Sequence, residues 1–202
     1  MNKDVAQDIR ICFVGDSIVN GTGDEAALGW VGRISAEAYS FGSPITSYNL
    51  GIRRDTSRDI LLRWKNECIH RLPSFCDGRI VLSCGINDTS LDNGQVRIKL
   101  DESCSNVRAI LDEAKKYNVI MVGPPPIAEY EQNIRIREIS KAFANEAQLL
   151  DVPYIELFES LSLDEEYKKE LLEGDGAHPG SQGYSKITTI ISSSSSWWFR
   201  PS

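Results

Sequence analysis

The chain has 202 residues, 41% hydrophobic and 25% charged, with a formal net charge of −7. Those figures suit one soluble globular domain, spanning 1–202, with a substantial core. An acidic chain is a poor partner for a nucleic-acid backbone, and no run approaches the roughly 18 apolar residues that a membrane span requires.

The opening stretch, MNKDVAQDIR, is polar where a secretory signal would carry its apolar region, so a cytoplasmic protein is expected. A strand over Ile9–Val14 then breaks off at Gly15-Asp16-Ser17. GTGDEA (Gly21–Ala26) loosely matches a dinucleotide fingerprint, but it does not leave a strand directly, and Asp24 and Glu25 would repel a pyrophosphate. Trp30, Ile34, Ala38 and Phe41 mark a helix with Trp30 in its core stripe. A second strand, Ile45–Leu50, ends at Gly51, followed by Arg53, Arg54 and Asp55. Leu61, Trp64 and Cys68 mark a helix ending near His70, where a histidine favours the negative helix end. The third strand, Ile80–Cys84, runs into Gly85-Ile86-Asn87-Asp88.

Leu100, Cys104, Val107, Leu111 and Ala114 step by fours and threes along one helical face. The strand Val119–Val122 meets Pro124–Pro126, which can continue neither strand nor helix. Ile136, Ile139, Phe143, Ala147 and Leu150 give another helix, and Val152–Leu157 a fifth strand. The acidic segment Leu163–Asp175 reads as a solvated helix or a flap over a site. A glycine-rich loop holding Asp175 and His178 precedes a last helix after Pro179. Ser192–Ser196 is low-complexity, and the following Trp197, Trp198 and Phe199 are expected to dock on the body, with a subunit interface as the alternative.

Strands alternating with helices define an α/β protein: a three-layer α/β/α sandwich on a parallel sheet of about five strands, in flavodoxin-like order. Five cysteines, Cys12, Cys68, Cys76, Cys84 and Cys104, lack C-x-x-C spacing and read as reduced core thiols; with two histidines the chain offers no metal-ligand set.

In such a sheet ligands bind beyond the carboxyl ends of the strands, and three strands end on small or polar groups. Ser17 is either a helix cap or a nucleophile, and a nucleophile needs a base with an orienting group. Asp175, three residues before His178, can hold the imidazole Nδ1–H and leave Nε2 free to take a proton; the bland alternative is an Asx turn. Asn87 and Gly51 are turn residues or donors for a developing oxyanion.

GDSI (Ser17), NLGIRRDTS (Gly51), GIND (Asn87) and DGAHP (Asp175, His178) together resemble the four blocks of the SGNH hydrolases, or GDSL esterase/lipase family, with Ile18 in place of leucine. The resemblance implies the three-layer fold, nucleophilic Ser17, His178 as base, Asp175 as its orienting group, and an oxyanion hole of Ser17 and Gly51 N–H with the Asn87 amide. It needs no cofactor. The expected activity is hydrolysis of acyl oxygen esters through an acyl-serine, with small acyl groups such as acetyl on a small-molecule or carbohydrate scaffold. Asp16, Arg53 and Arg54 are candidate substrate-binding residues, the arginines for an anionic part. An acyltransferase using the same site and a non-catalytic flavodoxin-like binding module are the alternatives.

Overall fold

The computed structural model describes residues 7–200. Residues 1–6, the start of the stretch on which the cytoplasmic expectation rests, lie outside them.

Five parallel strands form the central sheet: β1 (Ile9–Gly15), β2 (Ile45–Gly51), β3 (Asp77–Ser83), β6 (Asn118–Val122) and β7 (Tyr154–Ile155), in the order β2-β1-β3-β6-β7. This is the flavodoxin-like order. β1 lies between β2 and β3, pairing from Ile9↔Ile45 to Gly15↔Gly51 on one side and from Ile9↔Asp77 to Gly15↔Ser83 on the other. The three strand ends at Gly15, Gly51 and Ser83 are therefore level at one rim.

Side chains alternate across the sheet, so β1 supplies two cores. Ile11 and Phe13 pack under α2 (Gly29–Ser40), α7 (Phe158–Ser162), α8 (Glu165–Glu173) and α9 (Ser181–Ser193), against Trp30, Ile34, Tyr167 and Ile187. Cys12 and Val14 face the opposite layer of α3 (Ser57–Ile69), α5 (Leu100–Ala114) and α6 (Tyr130–Leu149), meeting Ile60, Trp64, Val107 and Phe143. Phe13 and Trp30 meet edge to face at 5.5 Å. Burying each such side chain contributes roughly 1.5–3 kcal/mol.

Local signals start several helices. Thr56 and Asp59 form a reciprocal capping box that opens α3. Asp16 caps the short α1 (Ser17–Asn20) by accepting the Ile18 N–H at 2.9 Å. Elsewhere the structure departs from the expected pattern. β3 begins at Asp77, because the paired backbone continues past the apolar run while Asp77 and Arg79 form an ion pair at 2.6 Å. β7 shrinks to two residues, since as an edge strand it has only β6 to pair with. An unforeseen hairpin joins β4 (Leu91–Asp92) and β5 (Gln95–Val96) after α4 (Ile86–Thr89). Its Asn93-Gly94 turn has positive φ at both residues, the geometry that this dipeptide favours.

The acidic helix α8 is no flap: Tyr167 and Leu171 are fully buried, and Glu170 accepts the Gln182 and Gly183 N–H groups at the start of α9. The aromatic tail docks on the body, with Trp197 and Phe199 buried and Arg79 lying 5.1 Å from the Trp198 and Phe199 ring centres. Cys12, Cys68 and Cys84 are buried, Cys76 and Cys104 half-buried, and none is in a disulfide.

Candidate active site

The site grows from the turn at the end of β1. A Cβ on Gly15 would lie 2.1 Å from the Ser83 carbonyl oxygen and 2.4 Å from Val19 Cγ2, so only glycine lets α1 turn so close to the sheet. Ser17 follows at once as the first residue of α1, 8% exposed.

His178 arrives from the loop ahead of α9. Its Nε2 lies 2.7 Å from Ser17 Oγ, and its Nδ1 lies 2.7 Å from Asp175 Oδ2. The other Asp175 oxygen accepts the Ala177 and His178 N–H groups at 3.0 and 2.9 Å, which ties the loop into a compact turn. Burial works to raise the Asp175 pKa, but the His178 bond and the two backbone donors outweigh it and hold the carboxyl at about 2. Ser17 and the Asp175–His178 pair, 161 positions apart at the serine–histidine contact, thus form one hydrogen-bonded chain.

Beneath the loop, a buried ion pair locks the entry to α9. The Asp24 carboxylate meets Arg33 Nη1 at 2.5 Å, accepts the Gly29 N–H at 2.7 Å and receives the Ser181 hydroxyl at 2.6 Å. Asp24, which argued against a pyrophosphate site, is thus a structural anchor that holds Ser181, three positions from His178.

Asn87 stands in α4, just past β3. Its Nδ2 donates to the Asp55 carbonyl at 3.0 Å and lies 3.4 Å from Asp16 Oδ2, a long contact. Asp88 beside it is fully buried and accepts the Ser57 N–H and the Ser103 hydroxyl at 2.7 and 2.6 Å, fastening α4 to α3 and α5. A cleft of about 120 Å³ is lined by Ser17, Asn87 and His178 together with Arg53, Arg54 and Gln132.

Two expected residues are placed differently. The Gly51 N–H donates to Asn49 Oδ1 at 3.0 Å, and Gly51 is not among the residues lining the cleft. Its reason for being glycine is packing: a Cβ would fall 2.2 Å from the Asn20 nitrogen. Asp16 is 2% exposed and likewise does not line the cleft; its carboxylate caps α1 and faces Asn87 instead of a substrate. Burial pushes Asp16 up to about 7 against the pull of the Ile18 N–H, with Asp88 and Asp55 adding to the rise. Arg53 and Arg54 do reach the cleft, Arg54 with a left-handed φ of 69°.

Sequence reasoning missed Gln132 and Arg63. Gln132 Nε2 donates to the Ile86 carbonyl at 3.0 Å and to the Ser90 hydroxyl at 3.1 Å, bracing α4. Arg63 donates to the Gly15 carbonyl at 2.9 Å and to Asp55 Oδ2 at 2.6 Å, tying the serine turn to the loop that holds Asn87. Both lie on helices with no local signature, so no sequence signal marks them. Among the described residues no group of three or more histidine, cysteine or acidic side chains could hold a metal ion, and no helix is long and apolar enough to cross a membrane.

The parallel sheet, with this serine–histidine–aspartate chain at its carboxyl rim, belongs to the carboxylic ester hydrolases of α/β type. The chain is a member of the GDSL-like lipase/acylhydrolase family, whose model matches residues 13–186. It is similar in structure to a lipase/acylhydrolase from Enterococcus faecalis, with 25% identity, a TM-score of 0.79 and coverage of 96% of this chain and 98% of the other. The fold is shared with Axe2, an acetylxylan esterase from Geobacillus stearothermophilus (21% identity, TM-score 0.75, 92% and 93% covered). It is shared too with LAE5, an alpha/beta hydrolase from the metagenome of Lake Arreo, Spain (17%, 0.73, 92% and 94%). No curated protein matches the chain in sequence.

Proposed function

We propose that the protein is a serine esterase that removes small acyl groups, acetyl foremost, from a hydroxylated small molecule or carbohydrate in the cytoplasm. The observation that carries this reading is the unbroken chain Ser17 Oγ–His178 Nε2–His178 Nδ1–Asp175 Oδ2, with both contacts at 2.7 Å. Neutral His178 takes the Ser17 proton as Oγ bonds to the acyl carbon; Asp175, ionised down to about pH 2, holds the tautomer and balances the imidazolium. The proton then passes to the departing alcohol, leaving an acyl-serine. Water enters by the same route in reverse and releases the acid.

The carbonyl oxygen acquires negative charge facing the rim. Its donors are the Ser17 N–H, at the start of α1, and the Asn87 amide, whose long contact to Asp16 is the one it can give up. Arg54 takes the part expected of Gly51: it lines the cleft, and its backbone N–H is not engaged in a hydrogen bond among the described residues.

The roughly 120 Å³ of the cleft, walled by Ile18, Ile86 and Ile127, favours a short acyl group. Axe2, which shares the fold, is an acetylxylan esterase. Five cysteines with no two bonded suit a reducing compartment.

A fluorophosphonate probe tests the reading directly: it should label the protein at Ser17 and fail to label Ser17→Ala. Among p-nitrophenyl esters, kcat/KM should fall steeply beyond two to four carbons. Free acid, not a new ester, should remain the main product when alcohols are added; dominant ester formation would make the enzyme an acyltransferase. A folded Ser17→Ala protein with near-normal activity would overturn the proposal.

A further inference from the structure

The cleft carries more positive charge than ester hydrolysis requires. Arg53 and Arg54 line it beside Ser17, Asn87 and His178, and both are exposed. Among the described residues neither guanidinium has an acidic partner within 4.0 Å, whereas Asp55, next in sequence, is turned inward onto Arg63 Nε at 2.6 Å. Asp59, the other nearby acid, is committed to the Thr56 cap. Arg97, just past β5, donates to the Arg54 carbonyl at 2.9 Å and brings a third cation to the same turn. Arg54 also sits at φ 69°, a conformation that glycine adopts freely and a long side chain adopts only against strain. All this stands on a chain of net charge −7, whose overall field repels anions.

We infer that the enzyme's substrates are esters of an anionic alcohol: a small acyl group on a scaffold bearing a carboxylate, sulfate or phosphate that Arg53 and Arg54 bind. The anion belongs to the alcohol side, because the cleft has space only for a short acyl chain while the two arginines open to solvent at its edge. Guanidinium suits all three anions, since its paired N–H groups match two oxygens at once. This inference rests on the acyl-enzyme reading above and sharpens its substrate class.

The test compares 4-acetoxybenzoate with its uncharged methyl ester, each rate divided by the rate of alkaline hydrolysis of the same compound. At about 20 mM salt the anionic ester should have the higher kcat/KM, by about tenfold or more, and at 0.5 M sodium chloride the preference should shrink severalfold. 4-Acetoxybenzenesulfonate and 4-acetoxyphenyl phosphate run beside it rank the three anions. Arg53→Gln and Arg54→Gly should each lower the ratio, and the double variant should bring it within twofold of one. Arg54→Gly keeps the left-handed turn, so its ratio reports charge and not misfolding.

Mono-4-nitrophenyl succinate against 4-nitrophenyl butanoate supplies the other arm: an anionic preference confined to that pair would place the charge on the acyl side and overturn the assignment. A wild-type ratio near one, or a ratio unchanged in the double variant, overturns the inference while fluorophosphonate labelling of Ser17 leaves the acyl-enzyme reading intact. Failure to label would remove that reading first and this one with it.

Discussion

The two ends of the sheet differ in a way that cavity size alone would misjudge. Near the amino ends of β3 and β6, a cavity of about 650 Å³ is lined by Leu72, Asp77, Gly78, Lys116, Tyr117 and Asn118. At the carboxyl rim the cleft is about 120 Å³. Only the smaller one brings a serine, a histidine and an aspartate into hydrogen-bonding order. Parallel strands explain the asymmetry. Every βα turn leaves a strand at the same rim, so loops from distant parts of the chain converge there and expose helix N-termini to the ligand. At the opposite end the chain arrives from helices, and Asp77 and Arg79 satisfy each other in an ion pair. Convergence of chemistry, and not volume, marks the site.

That contrast can be broken most decisively at the rim. Ser17→Ala and His178→Ala should each lower kcat on the order of 10⁴-fold or more, with the double variant little worse than either, because the proposed nucleophile and base act as one unit. Lys116→Ala in the larger cavity should leave kcat/KM within twofold in the same assay. A large loss there would return the bigger cavity to consideration.

Asn87→Ala removes one of the proposed oxyanion donors and should cost about 10²–10³-fold, chiefly in kcat, while a fluorophosphonate still labels Ser17, more slowly. Arg63→Ala should cost about tenfold in kcat with KM little changed, since it frees the Gly15 carbonyl and loosens the Asp55 loop without touching substrate. Restoration of the rate by Arg63→Lys would mean that charge alone suffices and would sink the positioning role.

Gly51→Ala separates packing from catalysis. The added methyl meets the backbone of Asn20 and should destabilise the fold by about 1–3 kcal/mol in urea unfolding. The folded fraction should keep kcat within a fewfold of wild type; a loss near 10²-fold with unchanged stability would put Gly51 back in the oxyanion hole.

The smallest effect is the pH dependence of Asp16. Its folded-state pKa, about 7, lies above its ordinary 3.8, so between these values the folded protein holds a proton that the unfolded chain releases. Its contribution to stability is therefore complete below about pH 4 and is lost as pH rises through 7. Asp16→Asn keeps the cap and removes the titration, so its Tm should gain a few degrees relative to wild type between pH 4.5 and 7.5. A constant difference would show that Asp16 does not titrate in this range.

Different parts of this architecture were legible to different degrees. The strand runs at Ile9–Val14 and Val119–Val122 were plain because both sheet faces are covered, which leaves a continuous apolar signature. β7 was overestimated because Val152 and Leu157 are buried without being paired, and burial is what hydrophobicity reports. Ser17, His178 and Asp175 each fit a cap or a turn when taken alone, and it was the resemblance of the four blocks together that singled them out. Gly51 is ambiguous in the sequence, because a glycine at a strand end looks the same whether it donates to a ligand or makes space for a helix.

The sequence by itself determined the alternation of elements, the burial pattern that splits β1 between two cores, and the residue types able to carry acyl chemistry. These follow from periodicity and from side-chain chemistry, which are local properties. Only the tertiary structure decided that His178 reaches Ser17 across 161 positions, that Asp16 is buried, that Arg54 and not Gly51 faces the cleft, and that Arg63 ties two loops together. Each of these depends on the level strand ends at Gly15, Gly51 and Ser83 and on the packing of α1 against β2. Register and close approach between distant segments are set by the sum of many burial and hydrogen-bond terms, and no short stretch of the chain contains that sum.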